Sequence, residues 1–418
     1  MTAVKGERLR FAVIHVGPRL HYGVPAVIAQ AGILHWLYTD GHAECDSARW
    51  LNWLPSRWLP RGLQRLLARR LPAVIPRDRV RSWIYPSLQQ EWFNRAHASR
   101  RKLARFSFEK RAGGHWLARR AIRDNFGGAN ALYVHPCVST EAVREAKRRG
   151  MFVVLEAISH PFNMRVQKAE YDRLGLRPTE GMDCMEENIA FFREEAALAD
   201  LVLAASEYVK GGLLELGIAP ERIAVVPYGL DAGFFVEKPK PVPGRILFVG
   251  TIDAHKGMAY YAMAARELKA TGFSGEFRTI GPLSAPDVPS NPVFEGLNYV
   301  GQVPRSEVKR EFASADVFVF PTLTDGFGMV LLEALFAGLP IVSTPNCGDV
   351  VRDGFNGRVV PSRDAAALAA AIREIVGNRE LRERMSRNAT ARKAEFTLEA
   401  YQQRLIGAVQ EHAARRRS

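Results

Sequence analysis

The chain has 418 residues, 47% of them hydrophobic and 24% charged, with four cysteines and a net charge of +14. That length exceeds what one core usually fills, so two domains of about 150–200 residues are expected, of ordinary soluble globular composition. Cys45, Cys137, Cys184 and Cys347 are scattered without a CxxC or Cys/His pairing, which argues against a disulfide framework or a zinc site and for buried thiols in a reducing compartment. No apolar run approaches the ~18 residues needed to cross a bilayer. The apolar stretch FAVIHV before Gly17 is too short for a secretory signal, so a cytoplasmic protein is expected.

Strand-like runs alternate with amphipathic helical runs along the chain, the pattern of parallel sheets built from βαβ units. The first is RFAVIHVG (Arg10–Gly17), followed by a loop with Gly17 and Gly23 and then a helix. The excess charge comes next. Residues 51–125 hold 18 Lys/Arg against four acids, which leaves 40 of each sign in the remainder, and all seven tryptophans lie between Trp36 and Trp116. Within Trp50–Pro76, Trp50, Trp53 and Trp58 accompany Leu63, Leu66 and Leu67 and the arginines 61, 65, 69 and 70. Aromatics beside an arginine-rich amphipathic stretch fit an element that rests on an anionic membrane surface. The same run fits a core-packed helix with a solvated arginine face.

ALYVHP (Ala131–Pro136), FVVLEAI (Phe152–Ile158), DLVLAAS (Asp200–Ser206) and AVVPYGLD (Ala224–Asp231) continue the first half. Glu156 and His160 sit at the end of the second of these, where a doubly wound sheet presents side chains to a cleft. EKPKPVPG (Glu237–Gly244) has three prolines in eight residues and reads as a linker. The pattern then restarts with RILFVG, EFRTIG, LNYVG, DVFVFP and LPIVST, a second doubly wound domain. In the tail, Leu398, Tyr401, Leu405 and Val409 share a helical face, with Thr397 placed as its cap.

One junction carries chemistry. In FPTLTDGFGMVLLEALFAGLPIVSTP (Phe320–Pro345) a strand runs through a glycine loop into a helix. First-turn amides lack internal partners, the helix dipole adds partial positive charge, and glycines admit a ligand to the backbone, so the run Gly326, Phe327, Gly328, Met329 and Val330 suits a phosphate. Asp325 and Glu333, with seven residues between them, could take the hydroxyls of a sugar and of a ribose. The plainer alternative is a dipole-favoured acid and a solvated glutamate.

These residues resemble the family-4 retaining glycosyltransferases (glycosyl transferases group 1), whose E-x7-E motif stands here as DGFGMVLLE, with Asp325 in place of the first Glu. The resemblance runs through SEYVKGGLLELGIAPERIAVVPYGLD, FVGTIDAHKGMAYYAMAARELK, YVGQVPRSEV and GDVVRDGFNGRVVP, covering most of residues 200–410. It implies a GT-B fold: two Rossmann-like domains facing a cleft, an acceptor-binding domain at 1–236, a nucleotide-sugar domain at 237–395, and a terminal helix at 396–418 crossing back to the first. It also implies that Gly250 and Lys256 serve a diphosphate, Thr251 replacing the arginine often found there, and that the loop at Val303 and Pro304 holds the base. Gly23 matches the family's N-terminal glycine pair, and His160 the histidine beside the transferred sugar.

The implied activity is transfer of a sugar from a nucleotide diphosphate sugar to a hydroxyl acceptor with retention. No metal or other cofactor is expected. The setting it suggests is cell-envelope polysaccharide or glycolipid synthesis, with the protein peripheral on the inner face of the plasma membrane. Domain closure about the linker would exclude water. A GT-B nucleotide-sugar epimerase shares the cradle but needs further acids in the cleft. A basic nucleic-acid-binding protein would explain the charge but not the Asp325/Glu333 pair.

Overall fold

The computed structural model describes residues 8–17, 19–45, 53–59, 61–85, 87, 105–136, 140–176, 182–231, 233, 240–284 and 291–417. Among these, the strands form two sheets in which every neighbouring pair is parallel. The first comprises β1 (Phe11–His15), β2 (Leu34–Asp40), β3 (Val80–Trp83), β4 (Ala131–Val134), β5 (Phe152–Ala157), β6 (Leu201–Ala204) and β7 (Ile223–Val225), in the order 3-2-1-4-5-6-7. The second comprises β8 (Arg245–Val249), β9 (Glu276–Ile280), β10 (Asn298–Gly301), β11 (Val317–Phe320), β12 (Ile341–Ser343) and β13 (Gly357–Val359), in the order 10-9-8-11-12-13.

Helices cover both faces of each sheet, so central strands are apolar without alternation: β11 reads VFVF and β6 LVLA, every residue buried. The order of winding reverses between β1 and β4 and between β8 and β11. Loops leaving those strands diverge there and open a crevice, the place where such sheets bind ligands. In the second sheet these loops are Gly250–Gly257 and Pro321–Gly328, which contain Lys256 and Asp325.

β2, β3 and β13 are not among the strands expected from the sequence. β2 (LHWLYTD) mixes polar residues into a short run, β3 is only VRSW, and β13 is GRV; each is a strand because a neighbour supplies its pairing, as Leu37–Asp40 do for Val80–Trp83. The last helix, Leu398–Arg417, packs on the first sheet's unit: Arg404 Nη2 donates to the Pro227 carbonyl at 2.9 Å, and Leu230 N donates to Phe396 O at 2.8 Å. Thr397 Oγ1 accepts from Ala400 N at 3.2 Å and caps it. Tyr401, Leu405 and Val409 are buried as expected, but Leu398, the first residue of the helix, is exposed.

In the basic segment, Trp50 lies outside the described residues, while Trp53 and Trp58 are exposed. The helix Arg61–Leu67 turns Leu63, Leu66 and Leu67 inward, Leu63 and Leu67 against a small cluster with Leu59, Cys45 and Ile84. Its leucine face is therefore core, not a membrane-facing surface. Cys45 and Cys347 are buried free thiols, Cys184 is only partly buried, and Cys137 lies outside the described residues. Among the described residues no helix is long and apolar enough to cross a membrane.

Candidate functional site

The junction after β11 is built around Asp325. Its Oδ2 accepts a hydrogen bond from Lys256 Nζ at 2.5 Å, and its Oδ1 accepts from the amides of Phe327 at 3.2 Å and Gly328 at 2.9 Å. The expected phosphate cradle is thus partly filled by the protein's own carboxylate, and Asp325 stabilises the helix start instead of presenting two free oxygens to a sugar. Burial alone would raise Asp325, but the Lys256 ammonium and the amide donors hold it below the usual carboxylate range. Among the described residues, the amides of Met329 and Val330, in the first turn of the helix Met329–Phe336, have no chain acceptor. They are the amides left open to a ligand.

Two glycines here have separate reasons. Gly328 precedes the helix at φ 74°, a left-handed conformation that costs a side-chain-bearing residue about 1 kcal/mol. Gly326 is required by a neighbour: a Cβ on it would stand 1.9 Å from the carbonyl oxygen of Ile158, just past β5. The approach expected of a ligand is made there by the other domain. Phe327 is likewise buried, its ring edge-on to Tyr228 at 5.3 Å, so its side chain belongs to the interface between the sheets.

Glu333 lies one turn into the helix. It is partly buried, no hydrogen bond to its carboxylate is present among the described residues, and burial raises its pKa, with Arg305 opposing. A desolvated carboxylate without a partner is a strong acceptor waiting for donors. Val303 and Pro304 lead directly into the helix Arg305–Ala313, which brings Arg305 into the field of Glu333. Gly250 follows β8, and Thr251 beside it is exposed. Gly23 opens the helix Gly23–Gln30 behind Tyr22, itself left-handed at φ 61°.

On the facing side, Glu156 does not open into the cleft. It is buried, accepts from Tyr228 Oη at 2.7 Å and lies 3.2 Å from His135 Nδ1. Burial works to raise its pKa, but the histidine and tyrosines outweigh it and keep the carboxylate below its ordinary value. Arg19, in the loop after β1, adds a guanidinium whose pKa is lowered by burial and sustained by Glu156. His160 stacks on Tyr208, with ring centroids 4.4 Å apart, and its Nδ1 lies 3.3 Å from Phe162 N. A Cβ at Gly212 would stand 2.4 Å from its Nε2. Neither ring nitrogen is directed at the Lys256–Asp325 pair; the ring supports Tyr208, whose hydroxyl donates to Thr324 Oγ1 at 3.0 Å.

The sequence reading missed the contacts that hold the two sheets together beside Lys256. The helix Asn163–Leu174 lies on the loop Asp253–Lys256: Tyr171 Oη donates to Asp253 Oδ2 at 2.7 Å, and Asp253 Oδ1 caps His255 N at 3.0 Å. Its neighbour Glu170 is completely buried and receives Arg173 at 2.7 Å, Arg363 at 2.8 Å and Tyr260 Oη at 2.9 Å. Arg363 reaches it from φ 66°. Nothing in a single sequence marks Glu170 as different from its solvated neighbours. A deeper signal was present at Asp253, a polar residue between a strand and a short helix, the usual place of a cap. Among the described residues no group of three or more His, Cys, Asp or Glu is arranged to hold a metal ion.

Residues 243–378, which include Lys256, Asp325 and Glu333, match the family model for glycosyl transferases group 1. A putative colanic acid biosynthesis glycosyltransferase of Salmonella typhimurium is 33% identical over 191 residues, 42% of this chain and 47% of that protein. An amylovoran biosynthesis glycosyltransferase of Erwinia amylovora is 29% identical over 204 residues, 45% of this chain and 50% of that protein. These matches span about half the length of those relatives. The structure of Anabaena HepE in complex with UDP and glucose superposes with a TM-score of 0.60 over 97% of this chain and 100% of that one, at 13% identity. A sucrose-phosphate synthase from Thermosynechococcus elongatus gives 0.58 at 18% identity over 97% of this chain and 100% of that one. The epimerase and nucleic-acid readings find no support in these similarities. The chain has the GT-B fold and carries, over residues 243–378, a glycosyl transferases group 1 domain.

Proposed function

We propose that the protein is a retaining glycosyltransferase that moves a sugar from a nucleotide diphosphate sugar to a hydroxyl acceptor in cell-envelope polysaccharide or glycolipid synthesis. The observation that carries this reading is Glu333: a partly buried carboxylate without a hydrogen-bond donor among the described residues, one helical turn from two open amides, at the switch point of the second sheet. Glu333 accepts from the ribose diol, the Met329 and Val330 amides and Lys256 receive the diphosphate, and the Val303 loop holds the base. Gly250 and Thr251 border the phosphates from β8, and Gly23 does so from the first domain.

As the bond to the diphosphate breaks, negative charge grows on the leaving oxygen, and fixed donors that need no reorganisation lower the barrier. The acceptor hydroxyl attacks on the leaving-group face, so no protein nucleophile is required, and Asp325 orients Lys256. His160 acts as a positioning residue through Tyr208 and Thr324. The donor is a UDP-, GDP- or ADP-sugar; Anabaena HepE, of the same fold, is described with UDP-glucose. No metal is assigned a role. The basic segment 50–125 brings the protein peripherally to anionic membrane on the cytoplasmic side, where a lipid-linked acceptor resides.

A thermal-shift series with UDP, GDP and ADP tests the donor site. One of the three raises the melting temperature of the wild-type chain and leaves Glu333→Ala unmoved. If none does, and Glu333→Ala keeps full transferase activity, the donor site has been misassigned.

A further inference from the structure

Two strands away from the β1/β4 switch point, on the outer side of the first sheet, a cavity of about 210 Å³ is lined by Arg81, Trp83, Arg120, Arg123 and Asp124. The backbone that follows Asp124 out of this lining is unusual. Asn125, Phe126, Gly127 and Gly128 are all left-handed, with φ between 49° and 80°, and two of them carry side chains. Such strain persists only where surrounding structure enforces it, and it gathers at binding sites. Here the enforcing contact is visible: Gly127 O accepts from Trp36 Nε1 at 3.2 Å, and a Cβ on Gly127 would stand 2.1 Å from the indole.

The turn fixes Trp36, and Trp36 fixes an arginine. The Arg81 guanidinium lies 4.0 Å from the Trp36 ring centroid and pairs with Asp124, which also accepts from Tyr38 Oη at 2.6 Å. Arg120 is packed between Trp83 at 5.3 Å and Trp116 at 5.7 Å. Stacking on an aromatic face leaves the N–H edges of a guanidinium free and oriented, the geometry that grips a phosphate. Asp124 is spent on Arg81, and among the described residues neither Arg120 nor Arg123 has a carboxylate partner. The pocket therefore holds an uncompensated excess of two positive charges.

Its rim says where the phosphate comes from. Tyr85, more than half exposed, packs on Trp116 with centroids 5.7 Å apart. The preceding Ile84 packs on the Leu59 cluster, beside which Trp58 is 68% exposed. Exposed aromatics next to a basic pocket match the interfacial region of a bilayer, where rings enter the head-group layer and arginines meet phosphate. We propose that Arg81, Arg120 and Arg123 form a head-group site for the phosphate of an anionic phospholipid, with Tyr85 and Trp58 entering the bilayer surface around it. This deepens, and rests on, the membrane attachment proposed above.

Flotation of the full chain with vesicles of phosphatidylcholine, alone or mixed with phosphatidylglycerol, tests both. The wild type floats only with the mixed vesicles. Arg120→Gln/Arg123→Gln weakens that partition about thirty-fold, the effect of two basic residues at a charged surface, while Arg384→Gln/Arg387→Gln, an equal charge loss on exposed residues of the second domain, changes it by no more than about two-fold. Equal losses in the two double variants, or a pocket variant that floats like the wild type, overturn the pocket and leave membrane attachment standing. A wild type that floats with neither vesicle overturns attachment itself. If soluble glycerol phosphate shifts tryptophan emission in that case, the pocket serves a soluble phosphate and the lipid assignment is wrong.

Discussion

Lys256 Nζ lies 2.5 Å from Asp325 Oδ2, while the other oxygen of that carboxylate holds the amides of Phe327 and Gly328. One acid thus orders both the cation and the helix start proposed to face the diphosphate. Lys256→Ala leaves Asp325 its amide partners, so we expect a loss of only about 1 kcal/mol in stability but a fall in turnover of about 10²–10³. Asp325→Asn keeps an oxygen for the amides and loses the ion pair. Asp325→Ala also loses the cap and melts lower still, by a further 1 kcal/mol or so. Calorimetry and initial rates on the three variants separate the two duties; an Asp325→Ala protein as stable as the wild type contradicts them.

Glu333 gives a prediction of opposite sign. Its folded pKa is raised, so the protonated form is favoured in the fold; that favourable contribution is present at low pH and lost as pH rises through the folded value. At neutral pH the ligand-free protein therefore carries a desolvated charge. Glu333→Gln should melt higher than the wild type at pH 7–8, by the equivalent of about 1 kcal/mol, and the curves should converge below about pH 4.3, the ordinary glutamate value. The same variant should lose stabilisation by the donor nucleotide. A Glu333→Gln protein that melts lower at pH 8 would mean the carboxylate already has a partner.

The family motif around Glu333 was readable because its parts are local: a strand, a glycine loop, a first turn and an acid one turn on. Contacts between segments far apart in the chain are not. Asp325 looked like a sugar ligand because sequence shows a carboxylate before a helix but not that Lys256, 69 residues earlier, is folded onto it. Glu156 was placed correctly at the end of a strand, yet its burial under Tyr228 depends on a loop 72 residues away. His160 follows β5 as its sequence position implies for the same local reason, while the stacking of its ring on Tyr208 comes from a separate helix. Strands β2 and β3 escaped because each takes its identity from pairing, not composition.

Gly326 tests whether the interface near the site must stay closed. A methyl group there would meet Ile158 O at 1.9 Å, and the Gly326 carbonyl accepts from Ser206 Oγ at 2.7 Å, so both sides of the contact are fixed. Gly326→Ala should push the domains apart, cost about 1–3 kcal/mol, and cut transfer to acceptor more than it weakens nucleotide binding, because of the proposed nucleotide contacts only Gly23 comes from the first domain. Small-angle scattering should register a larger radius of gyration. Unchanged scattering with unchanged activity would show that the backbone yields locally.

Acid should loosen the same interface at its other end. Burial alone would raise Glu170, yet Arg173, Arg363 and Tyr260 depress it; burial is likewise outweighed at Asp253, which His255 and Tyr171 lower to about 2. Depressed carboxylates contribute stability above their unfolded values, about 4.3 for Glu and 3.9 for Asp, and lose it as pH falls through the folded ones. Glu170→Gln should therefore melt lower than the wild type at pH 7, by about 2 kcal/mol once the half-exposed arginines are allowed for, or roughly 4–8 °C for a domain of this size. As pH falls from about 4.3, where the unfolded chain takes up the proton, toward the lower folded value, the gap should narrow and close. Tyr171→Phe should leave Glu170 intact and move only the lower part of the acid transition, toward pH 4, because Asp253 then keeps His255 alone. Melting curves recorded from pH 7 to pH 2 decide the point. A gap that stays constant through the acid range would show that Glu170 holds the domains by packing and not by its charge.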